Sequence, residues 1–100
     1  MKKIRIVDEA ERDLDEIINW YNERSFELGD KFYLVFKKKL DLIFQNPKIY
    51  RKSYKKIRRA TINQFPYGIY FIHDDEEIIV LAILHFKRSP KLIFSRLKGI

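Results

Sequence analysis

The stretch that decides the fold is Tyr67-Gly68-Ile69-Tyr70-Phe71-Ile72-His73, followed by Asp74-Asp75-Glu76-Glu77 and then Ile78-Ile79-Val80-Leu81-Ala82-Ile83-Leu84-His85. Two segments rich in β-branched and aromatic residues flank four acids. This pattern predicts an antiparallel hairpin with its turn at the acids. The second segment is almost continuously apolar, as befits a central strand covered on both faces.

Upstream, Ile57 to Asn63 is polar and basic and reads as a half-exposed strand. Residues 48–56 read as a basic loop carrying Tyr50 and Tyr54. Asn46-Pro47 is a stop signal, because the residue before Pro disfavours helical angles. Before it, Phe32, Phe36, Leu40, Ile43 and Phe44 mark the apolar stripe of a helix from about Leu28 to Gln45. Ala10, Leu14, Ile17, Ile18 and Tyr21 mark a first helix from Asp8 to about Glu23. Asp8 and Glu11 have capping-box spacing, and the acids of the first turn suit the helix dipole. The short link between the helices predicts an antiparallel hairpin. Lys3 to Val7 alternates like a short strand. At the other end, a turn is expected at Ser89-Pro90, and 90–100 reads as a short helix or a partly ordered arm. The expectation is one α+β domain over 1–100 in the order β-α-α-β-β-β. Its antiparallel meander is packed on one face by the helical hairpin.

The chain has 100 residues, 46% of them hydrophobic and 15% aromatic, with 3 Gly and 3 Pro. That much apolar surface argues against intrinsic disorder. The absence of Cys excludes disulfides, thiolate metal sites and a cysteine nucleophile, and fits the reducing cytoplasm. No signal peptide is read at the N-terminus, and no segment reaches the roughly 20 apolar residues of a membrane span. With His73 and His85 the only histidines, neither a metal nor a cofactor is expected.

The net charge of +7 is unevenly distributed. Residues 1–30 carry 5 basic and 9 acidic side chains, whereas 31–73 carry 11 basic and 1 acidic. Seven of the twelve residues from 48 to 59 are basic. Such asymmetry points to a docking surface for an acidic protein or a nucleic acid. Arg51, Lys52, Lys55, Lys56, Arg58, Arg59 and Arg88 are its candidate residues. Tyr50 and Tyr54, interleaved with these cations, suit either stacking on bases or ordinary packing. Arg58-Arg59 opens the first strand of the meander and His85-Phe86-Lys87-Arg88 closes the third, and strand ends that come together suggest one catalytic set. His85 would act as acid or base, and Arg58, Arg59 and Arg88 would hold a phosphate, as metal-free RNA cleavage needs. The acids of the first helix read as a solvated face.

The ordered set Asn46-Pro47…Tyr50, Ile57-Arg58-Arg59, Phe65-Pro66-Tyr67-Gly68-Ile69-Tyr70 and His85-Phe86-Lys87-Arg88-Ser89-Pro90 resembles the ParE branch of the RelE/ParE toxin family. Ala10, Asp13-Leu14, Ile17 and Tyr21 fit as well. The resemblance implies a bacterial type II toxin neutralised by a cognate antitoxin, in a hetero-oligomer. It implies poisoning of DNA gyrase. The alternatives are ribosome-dependent cleavage of mRNA, as in RelE-like members, or a non-toxic module that only binds its antitoxin. RelE-type enzymes often add a Tyr or second His near the C-terminus, and this chain has neither after Arg88.

Overall fold

A computed structural model describes residues 3–88 and 90–98; the side chains of residues 90, 93 and 97 are outside that description. The elements are β1 (Lys3–Ile6), α1 (Asp8–Arg24), α2 (Leu28–Gln45), a 3₁₀ turn (Pro47–Ile49), β2 (Lys52–Tyr54), β3 (Ile57–Thr61), β4 (Tyr67–His73), β5 (Glu77–His85) and α3 (Pro90–Leu97). They form one five-stranded sheet in the order β1-β5-β4-β3-β2. Strands β2 to β5 are the expected antiparallel meander. Two features differ from the sequence reading. Part of the basic loop is itself a short edge strand, β2. Strand β1 pairs with β5 in parallel, so the sheet is mixed. The helical hairpin supplies the crossover that a parallel pair requires.

The helices form where their periodicity places them, but α1 is capped differently. Asp8 is its first residue and Val7 its N-cap, with no side-chain cap bond, so the capping box does not form. Val7 instead accepts from Glu11 N–H at 3.0 Å and donates to the Val80 carbonyl at 3.1 Å. The tight continuation of β1 into α1 leaves the Asp8 side chain no cap position. The hairpin link contains Glu27 in the left-handed region, at φ 58°. Just beyond it, Gly29 N–H donates to Asn22 Oδ1 at 2.6 Å, tying the two helices together.

The main core lies between the hairpin and one sheet face. It holds Ala10, Leu14, Ile17, Phe32, Phe36, Leu40 and Ile43 against Ala60, Ile62, Ile69, Phe71, Ile78, Val80 and Ile83. Each such aliphatic or aromatic side chain contributes about 1.5–3 kcal/mol on burial. Ile57, Tyr70, Leu81, Ala82 and Leu84 form a smaller cluster on the opposite face. Helix α3 reaches that region, its Phe94 meeting the Tyr54 ring edge-on at 5.1 Å. The region 90–100 is thus helical as far as Leu97. The turn expected at Ser89-Pro90 falls partly on Ser89, which lies outside the described residues.

One irregularity positions everything that follows. Tyr70 pairs with Ala82 but Phe71 pairs with Val80, leaving Leu81 as an extra residue in β5. Such a bulge shifts the side-chain alternation by one. Before it, Ile78 and Val80 face the helical hairpin; after it, Ile83 does. Leu81 and Ala82 both belong to the opposite face.

Candidate functional site

The four residues proposed as one catalytic set lie in three places. Consecutive strand residues point to opposite faces. Arg58 therefore sits on the helix side with Ala60, and Arg59 on the α3 side with Ile57. Arg58 is occupied structurally. Its Nη1 donates to the Tyr50 carbonyl at 2.7 Å and the Lys48 carbonyl at 3.4 Å, and its Nε to His73 Nε2 at 3.3 Å. It fastens the 3₁₀ turn and the start of the basic segment to the sheet.

His85 follows Ile83 onto the helix side and meets Tyr67 edge-on at 5.1 Å. Its Nδ1 accepts from Lys87 N–H at 2.9 Å, which leaves the proton of the neutral ring on Nε2. The His85 carbonyl accepts from Arg88 N–H at 3.0 Å, closing the turn after β5. His85 and Arg88 line a cavity of about 240 Å³ together with Asp13, Glu16, Trp20 and Tyr67. Burial raises the Tyr67 phenol above its ordinary pKa of 10.0, and the nearby Arg88 opposes that shift. This cavity places His85 and Arg88 together and apart from Arg58 and Arg59.

Arg59 occupies the other site. Its stem lies over Gly68, where an added Cβ would come 2.9 Å from Arg59 Cγ and 3.1 Å from Phe86 Cε1. The guanidinium stands 5.1 Å from the centroid of the Phe86 ring. Arg59 N–H donates to the Arg51 carbonyl at 3.1 Å. Arg51, Lys52, Ser53, Arg59 and Thr61 line a groove of about 310 Å³ at the β2–β3 edge of the sheet. Lys55 and Lys56 are exposed in the adjoining turn, with Lys55 Nζ 5.3 Å from the Tyr54 centroid. The tyrosines of this segment pack inward rather than standing free. Tyr50 meets Phe71 at 5.9 Å, and Tyr54 meets Phe94.

Asp13, which enters the sequence analysis only through the family resemblance, has a structural role that the sequence does not reveal. The first helix is not simply a solvated face, because the Asp13 side chain is only 15% exposed. Strand β1 ends opposite Val80, so β5 has no strand neighbour on that side beyond this point. Asp13 fills the gap by accepting from Ile83 N–H at 3.0 Å. It also accepts two bonds from Arg96 of α3, at 3.1 and 2.8 Å, while Arg96 Nε pairs with Glu9 at 3.0 Å. The Asp13 hydrogen bond is the main reason the Arg96 pKa is raised. A carboxylate at the border of the apolar stripe, next to Leu14, was the available signal. Among the described residues, no group of three or more acids or histidines is placed to hold a metal ion. No helix among them is long and apolar enough to cross a membrane.

The architecture is a five-stranded mixed sheet carrying an N-terminal helical hairpin, with a cationic groove at one edge. The family model of the ParE toxin of type II toxin–antitoxin systems matches residues 4–90, and the chain belongs to that family. It is 24% identical over 99 residues to toxin ParE2 of two strains of Mycobacterium tuberculosis, covering 98% of this chain and 94% of the relative. A solved chain of the chromosomal ParDE toxin–antitoxin system from P. aeruginosa shares the fold, with a TM-score of 0.75 at 21% identity. That match covers 85% of this chain and 96% of the other.

Proposed function

We propose that this ParE-family toxin arrests growth by binding and poisoning DNA gyrase, and that a cognate antitoxin neutralises it. The observation that carries a binding mechanism is the separation of the cationic residues. Arg58 is committed to backbone carbonyls, Arg59 lies on the opposite face, and His85 lies elsewhere again. Binding needs only a charged and shaped surface, whereas phosphoryl transfer needs acid, base and cations around one phosphorus. The antitoxin finds exposed apolar residues on the hairpin, among them Leu34, Tyr33 and Leu42. Basic side chains such as Lys37 and Lys38 flank them, matching an amphipathic acidic segment. The complex is then a hetero-oligomer in the cytoplasm.

Pulse-labelling after induced expression without antitoxin separates the targets. DNA synthesis stops before protein synthesis if gyrase is poisoned. Protein synthesis stopping first would transfer the function to the ribosome. One observation favours that second reading: His85 and Arg88 share a cavity with Tyr67 and Glu16. On the ribonuclease reading, His85→Ala slows mRNA cleavage on translating ribosomes by about 10²–10⁴-fold. Continued synthesis of both polymers, with folded toxin present, would leave only the antitoxin-binding role.

A further inference from the structure

We infer that the groove at the β2–β3 edge is a docking site for the phosphodiester backbone of duplex DNA. This goes beyond the gyrase reading and does not depend on it. Arg51, Lys52 and Arg59 bring three cations to one groove, and Ser53 and Thr61 add two hydroxyl donors. Guanidinium, ammonium and hydroxyl groups are the side chains that contact phosphate oxygens. Among the described residues, no carboxylate lines the groove. One of the cations is held in place beforehand. The Arg59 stem lies over Gly68, its guanidinium is beside Phe86, and its backbone is tied to Arg51. A side chain positioned in this way loses less rotamer freedom when it binds.

The lining also selects among anions. None of the five residues is apolar, so an acidic peptide would find no pocket for the apolar anchors that carry protein interfaces. None is aromatic either. The nearby Tyr50 and Tyr54 are engaged with Phe71 and Phe94, and the Phe86 ring with the Arg59 guanidinium, which leaves unpaired bases fewer rings to stack on. A duplex backbone needs neither feature. Lys55 and Lys56 in the adjoining turn extend the positive surface along the track of a strand.

The test is fluorescence anisotropy of the full chain with a short labelled DNA duplex of mixed sequence, at several salt concentrations. Three neutralised phosphates predict an affinity that falls about 40-fold between about 50 and 200 mM salt. Arg59→Ala and, separately, Lys52→Ala should each lower the slope of log affinity against log salt by about 0.9, with circular dichroism unchanged. Lys31→Ala, on α2, should leave that slope as it is. An unchanged slope in both folded groove variants, or no duplex binding, would overturn the inference. So would displacement by polyglutamate at lower concentration than by unlabelled duplex, or tighter binding of duplex RNA than of DNA. Growth arrest by a chain that binds no duplex would sink the groove and spare the toxin reading; duplex binding without growth arrest does the reverse.

Discussion

Asp13 joins three elements through one carboxylate, and its removal has a calculable consequence. Asp13→Ala leaves the Ile83 N–H without its acceptor and Arg96 without its bidentate partner. Losing hydrogen bonds to a charged group costs about 1.5–3 kcal/mol. Asp13→Asn keeps one acceptor oxygen for Ile83 and should lose less. Urea unfolding of the three proteins checks the order wild type, Asn, Ala; equal midpoints would mean that water replaces the carboxylate at no cost. The residue scale also corrects the sequence's pairing of Arg58 with Arg59. Adjacent in the chain, they perform different work because a strand turns neighbours to opposite faces. Arg58 is a poor probe of partner binding, since its replacement releases the Lys48 and Tyr50 carbonyls. Arg59, exposed on the other face, is the clean one.

Among the elements, the helical hairpin was the most legible. Its apolar spacing and the Asn46-Pro47 stop placed α2 at Leu28–Gln45. What spacing does not reveal is how closely the helices meet. A Cβ added at Gly29 would collide with the backbone carbonyl of Ile18 and come 2.7 Å from Asn22 Cγ. Gly29→Ala therefore pushes the helices apart and should cost about 2–3 kcal/mol, despite the better helix propensity of Ala. At Gly68 the nearest atoms to an added Cβ are side-chain atoms of Arg59 and Phe86, at 2.9 Å or more, rather than backbone, so Gly68→Ala should cost less. Thermal unfolding of both variants tests the contrast. A Gly29→Ala protein as stable as wild type would show that the hairpin is not closely packed there. Strand β2 was illegible because Lys52-Ser53-Tyr54 is too short to carry a strand pattern; pairing with β3 makes the strand.

Across the whole molecule, packing of amphipathic rings sets an alkaline limit. Burial raises the phenols of Tyr21, Tyr50 and Tyr67 above 10.0, and Tyr67 adds to the shift at Tyr21. A folded-state pKa above the unfolded value means that the native state holds the proton longer. That share of stability is complete below about pH 10 and is lost as pH rises through the higher folded values. Urea midpoints should thus hold steady on approaching pH 10 and fall above it, in step with phenolate absorbance. A midpoint rising with phenolate formation would contradict this sign. The charge asymmetry belongs to the same scale. The sequence located the basic excess between residues 31 and 73, and folding divided it between a structural arginine, an open groove and the flank of the hairpin.

The sequence by itself determined the element order, the two helices, the β4–β5 hairpin and the family resemblance. Hydrophobic period, stop signals and turn acids are local, so they can be read along the chain. Only the tertiary structure decided which side chains meet. The extra residue Leu81 in β5 shifts the alternation, so His85 faces α1 while Phe86 joins Arg59 on the other side. Strict alternation from Ile78 would have put His85 on the Arg59 face. A bulge depends on pairing between strands, which leaves no period in either strand alone, and the separation of the His85 cavity from the Arg59 groove follows from it.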